Sequence, residues 1–81
     1  MTDTITVYGQ PSCFPCKAAQ SSLGRQGIPY KYVDISEDPE AAERLRQNGF
    51  RSTPVIAFRG SMHTIADLPD ITRQYKEAQS E

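Results

Sequence analysis

A pair of closely spaced cysteines constrains the fold of this chain more than any other feature. Cys13 and Cys16 are its only cysteines, and they follow the strand-like run I-T-V-Y at residues 5–8. A C-x-x-C that opens a helix directly after a strand predicts a dithiol switch. The unpaired N–H groups and the positive dipole end of such a helix stabilise a thiolate. We therefore predict that Cys13 is the nucleophile and that Cys16, one turn further in, is the more covered, resolving thiol.

The two cysteines have other possible uses. A structural disulfide closing so short a loop would remove little chain entropy, and structural disulfides are rare in a reducing cytosol. A zinc site needs about four ligands, and beyond the cysteines the chain offers one histidine, His63. We expect no metal ligand and no bound cofactor within one chain. A zinc ion or an iron-sulfur cluster bridging two copies stays open as an alternative.

Charge and apolar patterning narrow the possible partners and location. Nine Lys and Arg against ten Asp and Glu give a net charge of -1, so no basic field attracts nucleic acid or an anionic membrane. The longest apolar run, V-I-A-F at residues 55–58, is far below the ~20 residues of a membrane-spanning helix. Residues 1–4 lack the features of a secretory signal. We expect a cytoplasmic monomer whose residues 1–81 form one domain.

Hydrophobic periodicity and turn residues predict seven elements. In chain order they are a strand at 4–8, a helix at 13–26, a strand at 30–35, a helix from 36 or 38 to about 48, strands at 55–58 and 62–65, and a helix from about 67. Gly27 and Gly49 are expected to end the first two helices, and Ser36 or Asp38 to open the second. A strand-helix-strand unit implies a right-handed crossover between parallel strands.

The last third of the chain predicts a hairpin and a final helix. The hairpin turn is expected at residues 59–61 around Gly60. Asp67 is expected to cap the last helix, with Ile71 and Tyr75 on its inner face. The tail from Lys76 is expected to fray in its final residues. The whole order predicts an α/β protein with a four-stranded mixed sheet.

This order of elements, with C-x-x-C after the first strand, resembles the thioredoxin fold and, more closely, small glutaredoxin-like proteins of the NrdH-redoxin type. The resemblance spans roughly residues 5–58 through I-T-V-Y, G-I-P-Y-K-Y-V-D-I-S and G-F-R-S-T-P-V-I. It implies a dithiol-disulfide oxidoreductase that donates electrons to ribonucleotide reductase or to other protein disulfides. Thioredoxin reductase, drawing on NADPH, would recycle it without a cofactor bound to this chain.

The resemblance also implies where a substrate contacts the protein. In the family, the proline that faces the C-x-x-C is cis and leaves the backbone of the preceding residue open to an extended substrate segment. Thr53 and Pro54 occupy these positions. The predicted substrate-binding set also includes Phe14, inside the C-x-x-C, and Tyr8, at the end of the first strand, for which a packing role alone is the alternative.

Two departures from related sequences bear on the partners. NrdH-type proteins carry W-S-G-F-R-P-D before the last helix, where this chain has T-I-A-D-L-P-D at residues 64–70. Glutathione-dependent glutaredoxins carry a lysine shortly before the first cysteine and a double glycine before an aspartate near the last helix. Here Gln10, Ile65 and Ala66 stand in those places, ahead of Asp67. Glutathione is therefore the less favoured partner, and a glutathione-dependent glutaredoxin is the alternative.

Overall fold

The computed structural model describes residues 4–79, which contain four strands and three α-helices. In chain order the elements are β1 (Ile5–Gly9), α1 (Phe14–Arg25), β2 (Tyr30–Asp34), α2 (Pro39–Gln47), β3 (Val55–Phe58), β4 (Ser61–Thr64), a 3-10 turn (Ile65–Asp67) and α3 (Leu68–Gln79). The predictions for residues 1–3 and for the last residues of the tail lie outside the described residues. A single domain over residues 1–81 accordingly stays a prediction.

The four strands form one mixed sheet in the order β2-β1-β3-β4. β1 and β2 are parallel and joined by α1, while β3 runs antiparallel to both β1 and β4. This is the predicted thioredoxin-like α/β fold with its mixed sheet, which is confirmed. Val7 stands between Tyr32 of β2 and Ile56 of β3 in the register, so the C-x-x-C follows a central strand.

Local sequence rules explain the helix ends. After α1, Gly27 adopts a positive φ of 69°, and the Ile28 N–H donates to the Leu23 carbonyl at 3.0 Å, which is a left-handed helix cap. Asp38, and not Ser36, caps α2, because its carboxylate accepts from the Ala41 N–H at 3.1 Å. Ser36 instead donates its own N–H and hydroxyl to Asp34.

The main core cluster is formed by apolar residues of the sheet, α1, α3 and the loop after α1. Its buried members are Ile5, Val7, Ala19, Leu23, Ile28, Ile56, Phe58, Leu68 and Ile71. Val55 points to the other side of β3 from Ile56, since strand side chains alternate, and both are fully buried. β3 is therefore covered on both faces. The predicted inner face of α3 is confirmed, with Ile71 buried and Tyr75 packed against the core.

The hairpin and the start of α3 differ in detail from the prediction. The turn consists of Arg59 and Gly60, both at positive φ, as in a two-residue type I′ turn. Ser61 therefore pairs with Phe58, and Ile65 enters the 3-10 turn instead of ending β4. Asp67 lies inside that turn, and its carboxylate is 3.1 Å from His63 Nδ1. The prediction that Asp67 caps the last helix was therefore wrong.

Candidate active site

The two cysteines lie where β1 gives way to α1. Cys13 is the N-cap residue of α1, and Cys16 belongs to its first turn. The two are joined in a disulfide with their Cα atoms 5.2 Å apart. The position at the helix N-terminus agrees with the sequence analysis, and the structure holds the pair in its oxidised state.

Polar groups from two parts of the chain surround the Cys13 sulfur. The Cys16 N–H donates to Cys13 Sγ at 3.2 Å, and the Thr53 hydroxyl donates to the same sulfur at 3.4 Å. Gln10 Nε2 in turn donates to Thr53 Oγ1 at 3.3 Å. Hydrogen bonds to a charged group favour the charged form. A negative charge on Cys13 would therefore be stabilised by two donors and by the helix terminus.

Cys16 has different surroundings and is only 1% exposed, whereas Cys13 is half-buried. Its sulfur lies over Gly9, because a Cβ at Gly9 would be 3.0 Å from Cys16 Sγ. The same Cβ would be 2.7 Å from the Tyr32 hydroxyl and 2.9 Å from Tyr32 Cε1. A side chain at position 9 would therefore collide with both groups. The predicted difference in cover between the two cysteines is confirmed.

Tyr32 is a site residue that sequence reasoning missed. Its ring lies beside Cys16 above Gly9, although 36% of the residue remains exposed. Partial burial, together with the electrostatic influence of Asp34 and Tyr30, raises the pKa of Tyr32 above its ordinary value of 10.0. The phenol therefore keeps its proton at neutral pH. The sequence carries no local signal for this placement, because it depends on the register in which β2 pairs with β1.

The other predicted site residues are only partly brought together. The Thr53–Pro54 bond is cis, as the resemblance implied, and Thr53 O lies 3.7 Å from Cys13 Sγ. Phe14 is 83% exposed beside Cys13, with Lys17 Nζ 5.8 Å from its ring centroid. Tyr8 points away from Cys16, since neighbouring residues of a strand face opposite sides. Contact of these residues with a substrate stays a prediction.

Residues 4–79 contain neither a metal-binding cluster nor a membrane-spanning helix. Within that range, no three His, Cys, Asp or Glu side chains are grouped so that they could hold a metal ion. Of the helices described, none has the length and apolar character needed to cross a membrane.

The fold and the disulfide pair define a thioredoxin-fold dithiol protein, and comparison with known proteins narrows this class. The glutaredoxin family model matches residues 5–63. The glutaredoxin-like protein NrdH of Escherichia coli K12 is 36% identical over 74 residues, which cover 91% of this chain and 90% of that protein.

Solved structures agree with this result. The NrdH-redoxin of E. coli superposes with a TM-score of 0.78 at 30% identity, covering 86% of this chain and 92% of that one. A glutaredoxin from Brucella melitensis gives 0.71 at 25% identity, covering 95% and 86%. The chain therefore belongs to the glutaredoxin family as an NrdH-type glutaredoxin-like protein. Cys13 and Cys16 are the redox pair of a thiol-disulfide oxidoreductase.

Proposed function

We propose that the chain reduces protein disulfides through unequal roles of its two cysteines. The Cys13 thiolate attacks a substrate disulfide, forms a bond to one substrate sulfur and releases the other as a thiol. Cys16 then loses its proton and attacks Cys13, which forms the internal disulfide and releases the second substrate thiol. The dithiol loses two electrons, and the substrate disulfide gains them. The observation that carries this assignment is the difference in surroundings: Cys13 is half-buried among donors, whereas Cys16 is 1% exposed.

Substrate binding is assigned to the surface around Cys13. An extended segment would lie along the backbone of Thr53 and Pro54, because Thr53 O is 3.7 Å from the reacting sulfur and extended peptides bind through main-chain hydrogen bonds. Phe14 supplies an exposed apolar ring next to Cys13. We also propose that Tyr8 contacts the substrate, although its side chain lies on the other side of β1 from Cys16.

We further propose that this redoxin donates electrons to ribonucleotide reductase and is recycled by thioredoxin reductase with NADPH. Support comes from the relatives named NrdH and from the E. coli NrdH-redoxin, which is described as having a thioredoxin-like activity profile. A cytoplasmic location accords with this role, because a reducing compartment keeps such a pair in its dithiol form.

Glutathione is the competing electron source. Thr53 and Asp67 are the two residues that would fit a glutathione-binding site. Gln10, however, places a neutral amide, hydrogen-bonded to Thr53, where glutathione-dependent relatives have a lysine. The cavity beside it, lined by Gln10, Arg51 and Thr53 among others, has a volume of about 70 Å³. Small-molecule pockets usually have volumes of about 300–1,000 Å³. These two observations weigh against glutathione as the electron source.

NADPH consumption during reduction of a model disulfide tests the electron source. The protein is supplied either with thioredoxin reductase or with glutathione and glutathione reductase, and each system is also run without the protein. We expect turnover with thioredoxin reductase only, which would justify the same assay with ribonucleotide reductase as acceptor. Turnover with glutathione only would contradict the proposal. Silence in both systems would also contradict it and would direct attention to metal content and dimer mass in protein purified without air.

Trapping experiments test the roles of the cysteines. Cys16→Ser is expected to accumulate a mixed disulfide with substrate, because the resolving thiol is missing. Cys13→Ser is the matched control and should accumulate none, because its remaining thiol is buried. Non-reducing electrophoresis and intact mass measure the adduct. Trapping by Cys13→Ser alone would reverse the assignment.

A further inference from the structure

The Tyr32 hydroxyl lies close to the buried sulfur of the redox pair. It is 2.7 Å from the point that a Cβ at Gly9 would occupy, and Cys16 Sγ is 3.0 Å from the same point. The distance between the Tyr32 oxygen and the Cys16 sulfur therefore cannot exceed the sum of 2.7 Å and 3.0 Å. No hydrogen bond joins the Tyr32 hydroxyl and Cys16 Sγ while the disulfide is closed, and opening the disulfide frees the Cys16 side chain to rotate.

We propose that Tyr32 is a positioning residue for Cys16: its hydroxyl donates a hydrogen bond to the Cys16 sulfur in the open dithiol and in the mixed disulfide. The bond holds the sulfur in place and stabilises it as a thiolate for the resolving step. This inference deepens the proposed function and rests on Cys16 being the resolving thiol.

The physical need arises from burial. A thiolate at a residue with 1% exposure lacks water as a hydrogen-bond partner, and an unpaired buried charge is strongly disfavoured. The Cys16 N–H and the Thr53 hydroxyl both donate to Cys13 Sγ and not to the Cys16 sulfur. Tyr32 reaches the Cys16 side of the pair, and its partial exposure gives the phenol contact with solvent.

The charges around Tyr32 are compatible with a donor role. On β2 the titratable groups that act on it are Tyr30 and Asp34. On α1 the neighbouring titratable group is Cys16, and β1 contributes Gly9, which has no side chain. Burial and the negative charge of Asp34 oppose ionisation of the phenol. Tyr32 therefore offers an O–H group throughout the pH range in which thiols exchange.

The resolving step can then be written in full. The Cys16 thiol loses its proton to a water molecule admitted beside the partly exposed Tyr32 ring, and Tyr32 donates to the resulting thiolate and keeps its own proton. The thiolate attacks Cys13 Sγ, the Cys13-Cys16 bond forms and the bond from Cys13 to the substrate breaks. The electron pair leaves on the substrate sulfur, which takes a proton from water.

A two-phase exchange assay isolates this step. The reduced protein reacts with a chromogenic aromatic disulfide: attack by Cys13 releases the first coloured thiolate, and resolution by Cys16 releases the second. Tyr32→Phe keeps the ring and removes only the hydroxyl. We expect the second phase to slow about tenfold at neutral pH and its pH midpoint to rise by about one unit, as for loss of one hydrogen bond to a charged group. The first phase should be unchanged.

Tyr30→Phe is the matched control, because Tyr30 is on the same strand and side and bonds to Gln20. It should leave both phases and the pH midpoint unchanged, and thermal unfolding verifies that both variants are folded. A Tyr32→Phe variant with the second phase and midpoint of the wild type would overturn the proposal. Equal slowing of both phases would overturn it too, because a general loss of structure would act on both cysteines.

A direct titration separates this inference from the proposed function. In Cys13→Ser, Cys16 is the only thiol, and the ultraviolet absorbance of its thiolate can be followed against pH without any exchange reaction. Adding Tyr32→Phe should raise the midpoint by about one unit, since the hydrogen bond to the charged sulfur is lost. An unchanged midpoint refutes the role of Tyr32. A wild-type protein with no second phase refutes the resolving role of Cys16 instead.

Discussion

Gly9→Ala is the substitution that most directly tests the packing of the redox site. Gly9 is a buried residue at the end of β1. An added Cβ would come within 2.7 Å of the Tyr32 hydroxyl, 2.9 Å of Tyr32 Cε1 and 3.0 Å of Cys16 Sγ. Cys16 is held by its disulfide, so the Tyr32 ring has to move.

Overpacking of this kind typically costs about 1–3 kcal/mol. For a domain of this size, each kcal/mol shifts the thermal midpoint by about 4–8 °C, so we expect a drop of roughly 5–20 °C. Gly24→Ala is the matched control: Gly24 lies in α1, and a Cβ there meets no atom within 4 Å. Because alanine is the better helix former, this control should gain about 0.5–1 kcal/mol.

Thermal and urea unfolding of the oxidised protein measure both variants. Opposite signs for the same Gly→Ala change would locate the cost in the contacts at Gly9, because the change in chain entropy is similar at the two positions. If Gly9→Ala were as stable as Gly24→Ala, the close packing of Tyr32 and Cys16 over β1 would be refuted. A Tyr32→Ala background should reduce the cost of Gly9→Ala, since two of its three close contacts are then absent.

Three further changes test the site and the elements that carry it. Thr53→Val removes a donor to the Cys13 sulfur, the proposed nucleophile, and should slow the first exchange phase about tenfold. Thr53→Ser should not, and equal rates for the two would contradict the role of the hydroxyl. Asp38→Ala removes the cap of α2 and should lower the free energy of unfolding by about 1 kcal/mol in urea titrations; no loss would contradict the capping role. Hydrogen bonds from the Ser36 hydroxyl and N–H hold the pKa of Asp34 below its ordinary value of 3.8. The stability that these bonds add is therefore present above pH 3.8. It is lost as the pH falls through the lower pKa of the folded state. The wild type should therefore have a higher urea midpoint than Ser36→Ala near neutral pH, with a gap that narrows below pH 3.8; a constant gap would contradict this origin.

Features governed by neighbouring residues could be predicted from the sequence. Gly27 and Gly49 end helices because a positive φ lets the next N–H groups reach back to unpaired carbonyls. The helix-opening position of Cys13 likewise follows from the strand and helix patterns on either side of it. The cis bond before Pro54 came from the family resemblance alone, because only ~5% of X-Pro bonds are cis.

Features that depend on chain geometry or on distant parts of the sequence were missed. The shift of β4 by one residue follows from Arg59, which adopts a φ of 51°, a conformation that is uncommon for arginine. Asp67 matches the pattern of a helix cap, yet the 3-10 turn ahead of α3 places its carboxylate next to His63. Tyr32 reaches Cys16 only because β2 pairs in parallel with β1 in one particular register, which no local pattern specifies.

The two sulfurs of the redox pair lie next to residues from different parts of the fold. Cys13 receives hydrogen bonds from its own helix and from Thr53, in the segment before β3. Tyr32 of β2 lies beside Cys16 above Gly9. Changes at Thr53 should therefore act on the first step and changes at Tyr32 on the second. Because the two positions have no partner in common among these contacts, a double variant should show in each exchange phase the slowing of the corresponding single variant.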